Sequence, residues 1–207
     1  MSSPRMLGVV LFPGFELLDV FGPLEVFGNM RAAAQFRTCT VAASAGTVES
    51  AQGTRAVADH GFADAPSTGL LLVPGGMGTR VEVENAALLD WLRARAAGAE
   101  IVMSVCTGAA LLARAGLLDG LRATTNKWAF QWVASQGPKV DWVRQARWVD
   151  AGKYVTSSGV TAGIDMALAV VARLAGLELA CALATGIEHD WHRDPSWDPF
   201  AKVHGLV

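Results

Sequence analysis

Cys106 is the residue on which chemistry can be built. It follows Ile101-Val102-Met103-Ser104-Val105, a short, mostly apolar, β-branched run that reads as a buried strand. It precedes Gly108 to Leu118, where Leu111, Leu112, Ala115 and Leu118 recur at helical spacing and Gly116 stands near the end. With Thr107 behind it, the thiol falls on a sharp strand-to-helix turn, which lifts a side chain out of the packed sheet as the serine version of such an elbow does. The first amides of the helix and its positive dipole end favour a thiolate, the reactive form of cysteine. An inert core thiol is the ordinary fate of a free cysteine, and Cys39 reads that way. The elbow sets Cys106 apart.

A nucleophile needs a proton partner and donors for developing charge. In an open parallel sheet such groups gather at the carboxyl ends of the strands. Four segments are expected there: the loop from Phe15 to Asp19, Gly75-Gly76, Cys106-Thr107, and Gly159-Val160-Thr161. Asp19 is the carboxylate of choice, with Glu16 and Glu25 as rivals and a helix cap or surface ion pair as the plain alternative. Gly75-Gly76 offers backbone room and free amides, the material of an oxyanion hole, or simply a strand-ending turn. Gly75, Gly76 and Gly78 have the wrong spacing for a dinucleotide site. None of the four histidines is near the cluster in sequence. His189 and His192 are three apart and could seat a metal on a helix, but their Asp, Pro and Trp surroundings point to a tail, and no metal is expected.

The elements that must position these residues alternate. Met6 to Phe12 is a continuous apolar run, the mark of a strand covered on both faces. Glu16 to Met30 is helical in period, with Pro23 expected to break or kink it. Strands are expected at Phe36 to Ala43, Leu70 to Val73 and Arg122 to Thr125, with a short hairpin or added strands within Val48 to Val57. Helices are expected at Ala86 to Ala97 and at Lys127 to Ser135, the latter with Trp128 and Trp132 on one face. Arg147-Trp148-Val149 and Lys153 to Thr156 flank Asp150-Ala151-Gly152, a hairpin signal. Ala162 to Leu174 and a segment after Gly176 through Glu188 are helical, and His189 to Val207 reads as an ordered, extended tail. This alternation predicts one α/β domain over 1–207, with a core at about 6–188: a doubly wound, mostly parallel sheet with helices on both faces.

Composition narrows the class. The chain has 207 residues, 52% of them hydrophobic, and a formal net charge of -2, which suits one globular core. Lys and Arg are scattered, so no nucleic-acid partner is expected. No secretory segment and no membrane span is expected, because the apolar run at Met6 to Phe12 is short and meets Pro13-Gly14. Three distant cysteines argue against a disulfide framework or a zinc site and suit a reducing cytoplasm. The tryptophan-rich stretches read as core or dimer contacts.

The segments LLVPGG, IVMSVCTGAALLARAGLLDGLRATT and SSGVTAGIDMAL closely resemble the DJ-1/PfpI superfamily, and LFPGFELLDVFGPLEVF looks like its opening. The resemblance runs from about Leu7 to Glu188. Within the superfamily, LLDVFGP with SVCTG is most similar to isocyanide (isonitrile) hydratases. It implies a flavodoxin-like fold, a homodimer, no cofactor, Cys106 as nucleophile, Asp19 as its acidic partner and Thr107 as the neighbouring threonine. Many relatives carry histidine directly after the paired threonines, then tryptophan. Here the stretch is Thr124-Thr125-Asn126-Lys127-Trp128, without the histidine and with one residue more. Protease or amidase chemistry, which needs that imidazole to move a proton to an amine, loses support, whereas hydration with a carboxylate partner survives. The expected reaction on a small-molecule isocyanide runs through a Cys106 thioimidate, with the Gly76 and Thr107 amides holding charge. A glyoxalase- or deglycase-type activity on small carbonyls and a non-enzymatic cysteine sensor are the alternatives. Relatives that regulate transcription carry a helix-turn-helix domain after this one, and none is expected here.

Overall fold

The computed structural model describes residues 5–30 and 36–207. Seven strands form the main sheet: β1 (Met6–Val10), β2 (Arg37–Ala42), β5 (His60–Gly61), β6 (Leu70–Val73), β7 (Ile101–Ser104), β10 (Trp148–Ala151) and β11 (Tyr154–Ser157). Their order is β10-β11-β7-β6-β1-β2-β5, and every pairing is parallel except the edge hairpin β10–β11. β3 (Gly46–Glu49) and β4 (Arg55–Ala58) make the separate hairpin, and β8 (Arg122–Ala123) pairs with β9 (Asp141–Trp142). Every residue of β6 and β7 is buried, as strands covered on both faces must be. The order turns back between β1 and β6, which opens a crevice at their carboxyl ends.

The helices pack in two groups. α1 (Leu17–Asn29), α6 (Ala162–Ala175) and α7 (Leu177–Gly186) lie together. α2 (Thr79–Glu82), α3 (Ala86–Gly98), α4 (Gly108–Arg114) and α5 (Phe130–Gln136) form the other group. α1 runs through Pro23 as one helix, without the break that the sequence reading allowed beside a kink. Proline removes only its own amide, and the buried Val20, Pro23, Val26 and Phe27 hold the helix in place. α4 stops at Arg114, short of the expected Leu118, as Gly116 takes a left-handed φ of 74°. α5 starts only at Phe130, so Trp128 lies in the turn ahead of it and is 71% exposed rather than core.

The tail is ordered but not simply extended. After a stretch without helix or strand it forms α8 (Phe200–Val203). Buried charge ties it down. Asp165 of α6 accepts from Arg147 Nε, pairs with His189 Nε2 at 2.8 Å and accepts from the His192 amide at 3.2 Å. His192 stacks on Trp197, so the two histidines share no helix. Lys127, expected on a helix, is instead buried. Its Nζ lies 3.0 Å from Asp198 and donates to Thr124 Oγ1, Thr125 O and Ala146 O. Burial pulls the Lys127 pKa down and Asp198 opposes it. Removing one partner of such a pair leaves the other charge buried alone. Asp198→Ala should therefore lower the unfolding free energy by about 3–5 kcal/mol in urea titration, whereas a surface-like loss below about 1 kcal/mol would show that the pair does not hold the tail.

Candidate active site

β7 ends at Ser104 and α4 begins at Gly108, so Cys106 must turn the chain in between. It does so at φ 57°, in the left-handed region that non-glycine residues rarely occupy. Three contacts hold the strain. The Cys106 amide donates to Ser158 O at 3.1 Å, Thr125 Oγ1 donates to Cys106 O at 2.7 Å, and the Gly108 amide closes the turn on Val105 O at 2.9 Å. The Gly75-Gly76 loop after β6 presses against this elbow. A Cβ on Gly75 would stand 2.5 Å from the Thr107 nitrogen and 2.9 Å from Cys106 Cβ. One on Gly76, at φ 123°, would meet the Glu16 nitrogen at 2.4 Å. Only glycine lets the three loops come this close.

Asp19, in the first turn of α1, is fully buried beside the thiol. Its Oδ2 accepts from the Gly75 amide at 2.8 Å, while Oδ1 has no partner at ordinary hydrogen-bond geometry. Burial pushes the Asp19 pKa from 3.8 up to about 8, with Glu16 adding to the rise. The Gly75 amide and, more weakly, the nearby Cys106 thiol oppose it. A proton on Oδ1 turns an orphaned acceptor into a donor, with the sulfur as its neighbour. The Cys106 pKa also rises, first through burial and then through the Asp19 charge. The amides of Thr107 and Val160 face the sulfur and pull the other way. Dipole and amides thus do not win the thiolate expected from the elbow alone, because the sulfur is buried and sits next to an acid. The pair holds its protons at neutral pH and titrates as a unit.

A cleft of about 130 Å³ opens over the sulfur, lined by Glu16, Gly76, Met77, Arg80, Asn126 and Trp128 among others. No histidine lines it. A second hollow of about 250 Å³ adjoins it, sharing Asn126, Trp128 and Val160 and adding Gly159, Thr161 and His204.

The DJ-1/PfpI family model matches residues 6–173. The chain belongs to the DJ-1/PfpI family. It is 34% identical over 184 residues to an isonitrile hydratase of Pseudomonas putida, covering 88% of this chain and 78% of that protein. It is 29% identical over 185 residues to GbdR, an HTH-type transcriptional regulator of Pseudomonas aeruginosa, covering 88% of this chain and only 50% of the regulator. Among solved structures, a ThiJ/PfpI family protein from Pseudomonas syringae superposes with a TM-score of 0.84 at 29% identity, over 99% of this chain and 84% of that one.

In this DJ-1/PfpI site the expected residues divide. Cys106, Asp19 and Thr107 come together. The Thr107 hydroxyl is occupied, accepting from the Gly76 amide at 3.0 Å and from Thr79 Oγ1 at 3.1 Å, so its free group toward the sulfur is the backbone amide. The amides of Gly75 and Gly76, expected to be free for an oxyanion, are spent on Asp19 and Thr107 and fix those residues instead. Gly159 and Thr161 line the adjoining hollow, and of that segment only Val160 reaches the cleft. Val160, which the sequence placed in the substrate- and oxyanion-binding segment, faces the sulfur with its amide. Its φ of 48° is an outlier for a β-branched residue, and no side-chain pattern announces it. Neither residue at the missing-histidine position supplies a base: Asn126 Oδ1 accepts from the Ala129 amide, and Lys127 points into the body. Glu82 and the other acids of the described residues form no group of three or more metal-ligating side chains.

The raised Asp19 pKa has a stability consequence. Between about pH 4 and 8 the folded state keeps a proton that the unfolded chain has released, so wild-type stability falls as pH rises. Asp19→Asn does not titrate and keeps an acceptor for Gly75. Its melting temperature relative to wild type should climb through that window, by up to about 1.4 kcal/mol of stability per pH unit, and level off above it. A difference independent of pH would mean that Asp19 is not desolvated.

Proposed function

We propose that this protein hydrates small isocyanides to N-substituted formamides. The observation that carries the reading is the buried Asp19–Cys106 pair: a carboxyl that keeps its proton to about pH 8, set beside a thiol in a cleft without histidine. The isonitrile hydratase of Pseudomonas putida supports it as a relative. Asp19 gives its proton to the terminal isocyanide carbon while Cys106 sulfur bonds to that carbon and the thiol proton returns to Asp19. The product is a thioimidate, S–CH=N–R. Water then adds to the same carbon with Asp19 taking its proton and passing one to nitrogen. As the C–S bond breaks, the proton of the new hydroxyl passes by way of Asp19 to the sulfur, which restores the thiol and releases HC(=O)–NH–R. The amides of Thr107 and Val160 face the sulfur and steady its negative charge as it forms and leaves. No leaving amine needs protonation, so the lack of an imidazole is no handicap. The kinship with GbdR gives a second reading, ligand binding without turnover, which the same assay decides.

Cys106→Ala should abolish formamide production from a simple alkyl isocyanide with little change in melting. Asp19→Asn should lower turnover by at least ~10²-fold, as loss of a positioned acid–base does, and Glu25→Gln should cost far less. Because the chemistry needs the Asp19 proton, kcat/KM should fall above about pH 8. Turnover by the Ala variant, or a rate that rises through pH 8, would sink the mechanism.

A further inference from the structure

We infer that the substrate carries a carboxylate and that Arg80 binds it; this rests on the hydration reading only for the substrate's reacting end. The cleft over the sulfur, about 130 Å³, is well below the ~300–1,000 Å³ usual for ligand pockets, so the group held there is small and few contacts can orient it. A charge-assisted hydrogen bond is the strongest available to so small a molecule. Two charged side chains line the cleft, Glu16 and Arg80. Glu16 lies toward the reacting pair, since its charge raises the pKa of both Asp19 and Cys106, and its Oε1 already accepts from Gln52 Nε2. It repels an anion from the thiol end. Arg80 is the opposite case.

Arg80 is half-buried, with its guanidinium carbon 4.2 Å from the centroid of the Trp132 ring. Its side chain makes one long hydrogen bond, Nη1 to Thr79 Oγ1 at 3.4 Å. Arg93 pairs with Asp90, Arg114 with Glu84, Arg147 with Asp165 and Arg173 with Asp150, whereas Arg80 lines the cleft without such a partner. Among the described residues no carboxylate lies within ion-pair distance of Arg80. Stacking on Trp132 holds the guanidinium plane and strips water from one face, leaving edge N–H groups as a preset fork for a planar anion. Arg80 and Cys106 line the same small cleft, so a short molecule held at Arg80 by its carboxylate has its other end in the space over the sulfur. The substrate class is a short isocyano carboxylate, of which isocyanoacetate is the smallest, and the product an N-formyl amino acid.

The test compares kcat/KM for isocyanoacetate and its neutral methyl ester in wild type, Arg80→Met and Arg80→Lys. Wild type should prefer the carboxylate at least tenfold, mainly through KM. Arg80→Met should erase the preference, and Arg80→Lys, which keeps the charge but loses the fork, should retain part of it. An ester that matches the acid in wild type, or a preference that survives Arg80→Met, overturns the inference. If neither isocyanide is hydrated, the hydration reading fails, and Arg80 is then judged by alkylation of Cys106. The ratio of iodoacetate to iodoacetamide rates should fall at least tenfold in Arg80→Met, and an unchanged ratio overturns the carboxylate site.

Discussion

A carboxyl and a thiol share one dry crevice, which makes both harder to ionise, and the carboxyl's charge holds the thiol back further. Burial alone raises both pKa values, and the Asp19 charge adds to the rise at Cys106. The outcome is a site that stores protons at neutral pH. That is unlike a thiolate poised by a helix dipole, and it favours chemistry in which a proton is delivered as the sulfur attacks. The dipole and the two amides near the sulfur are not idle: they act most once negative charge forms on it.

Holding the pair together requires backbone closeness. The Gly75-Gly76 loop, the elbow at Cys106 and the turn before α1 come within distances that no Cβ at either glycine would permit. Their amides are consumed in doing so, one on Asp19 and one on Thr107. The donors toward the sulfur come from elsewhere, including Val160, which sits in strained backbone beside the strained Cys106. Strain in two adjoining loops persists only because buried neighbours overdetermine it.

The fold places this pair at the point where strand order reverses, yet the wall of the cleft differs in origin from its floor. Floor residues come from strand ends. The wall comes from short helices and turns, such as Met77, Arg80 and Trp128. Relationship to both an isonitrile hydratase and a transcriptional regulator half of whose length this chain spans is consistent with reuse of one fold. In this chain the wall carries an arginine with no acid of its own.

Much of this was legible in the chain. Continuous apolar runs announced β1, β6 and β7, because strands buried on both faces have no polar side to show. The strand–Cys–helix pattern marked the elbow, and motif resemblance joined Asp19 to it. Period and breakers misjudged α1 at Pro23 and α5 at Lys127-Trp128, since local propensity yields to packing and to a buried ion pair. The sequence by itself determined the sheet and singled out Cys106 and Asp19 as the proposed nucleophile and acidic partner. Only the tertiary structure decided their protonation, the use of each amide and the make-up of the cleft wall. Desolvation, backbone direction and the meeting of distant loops depend on what surrounds a residue in space, and none of these is written in its neighbours along the chain.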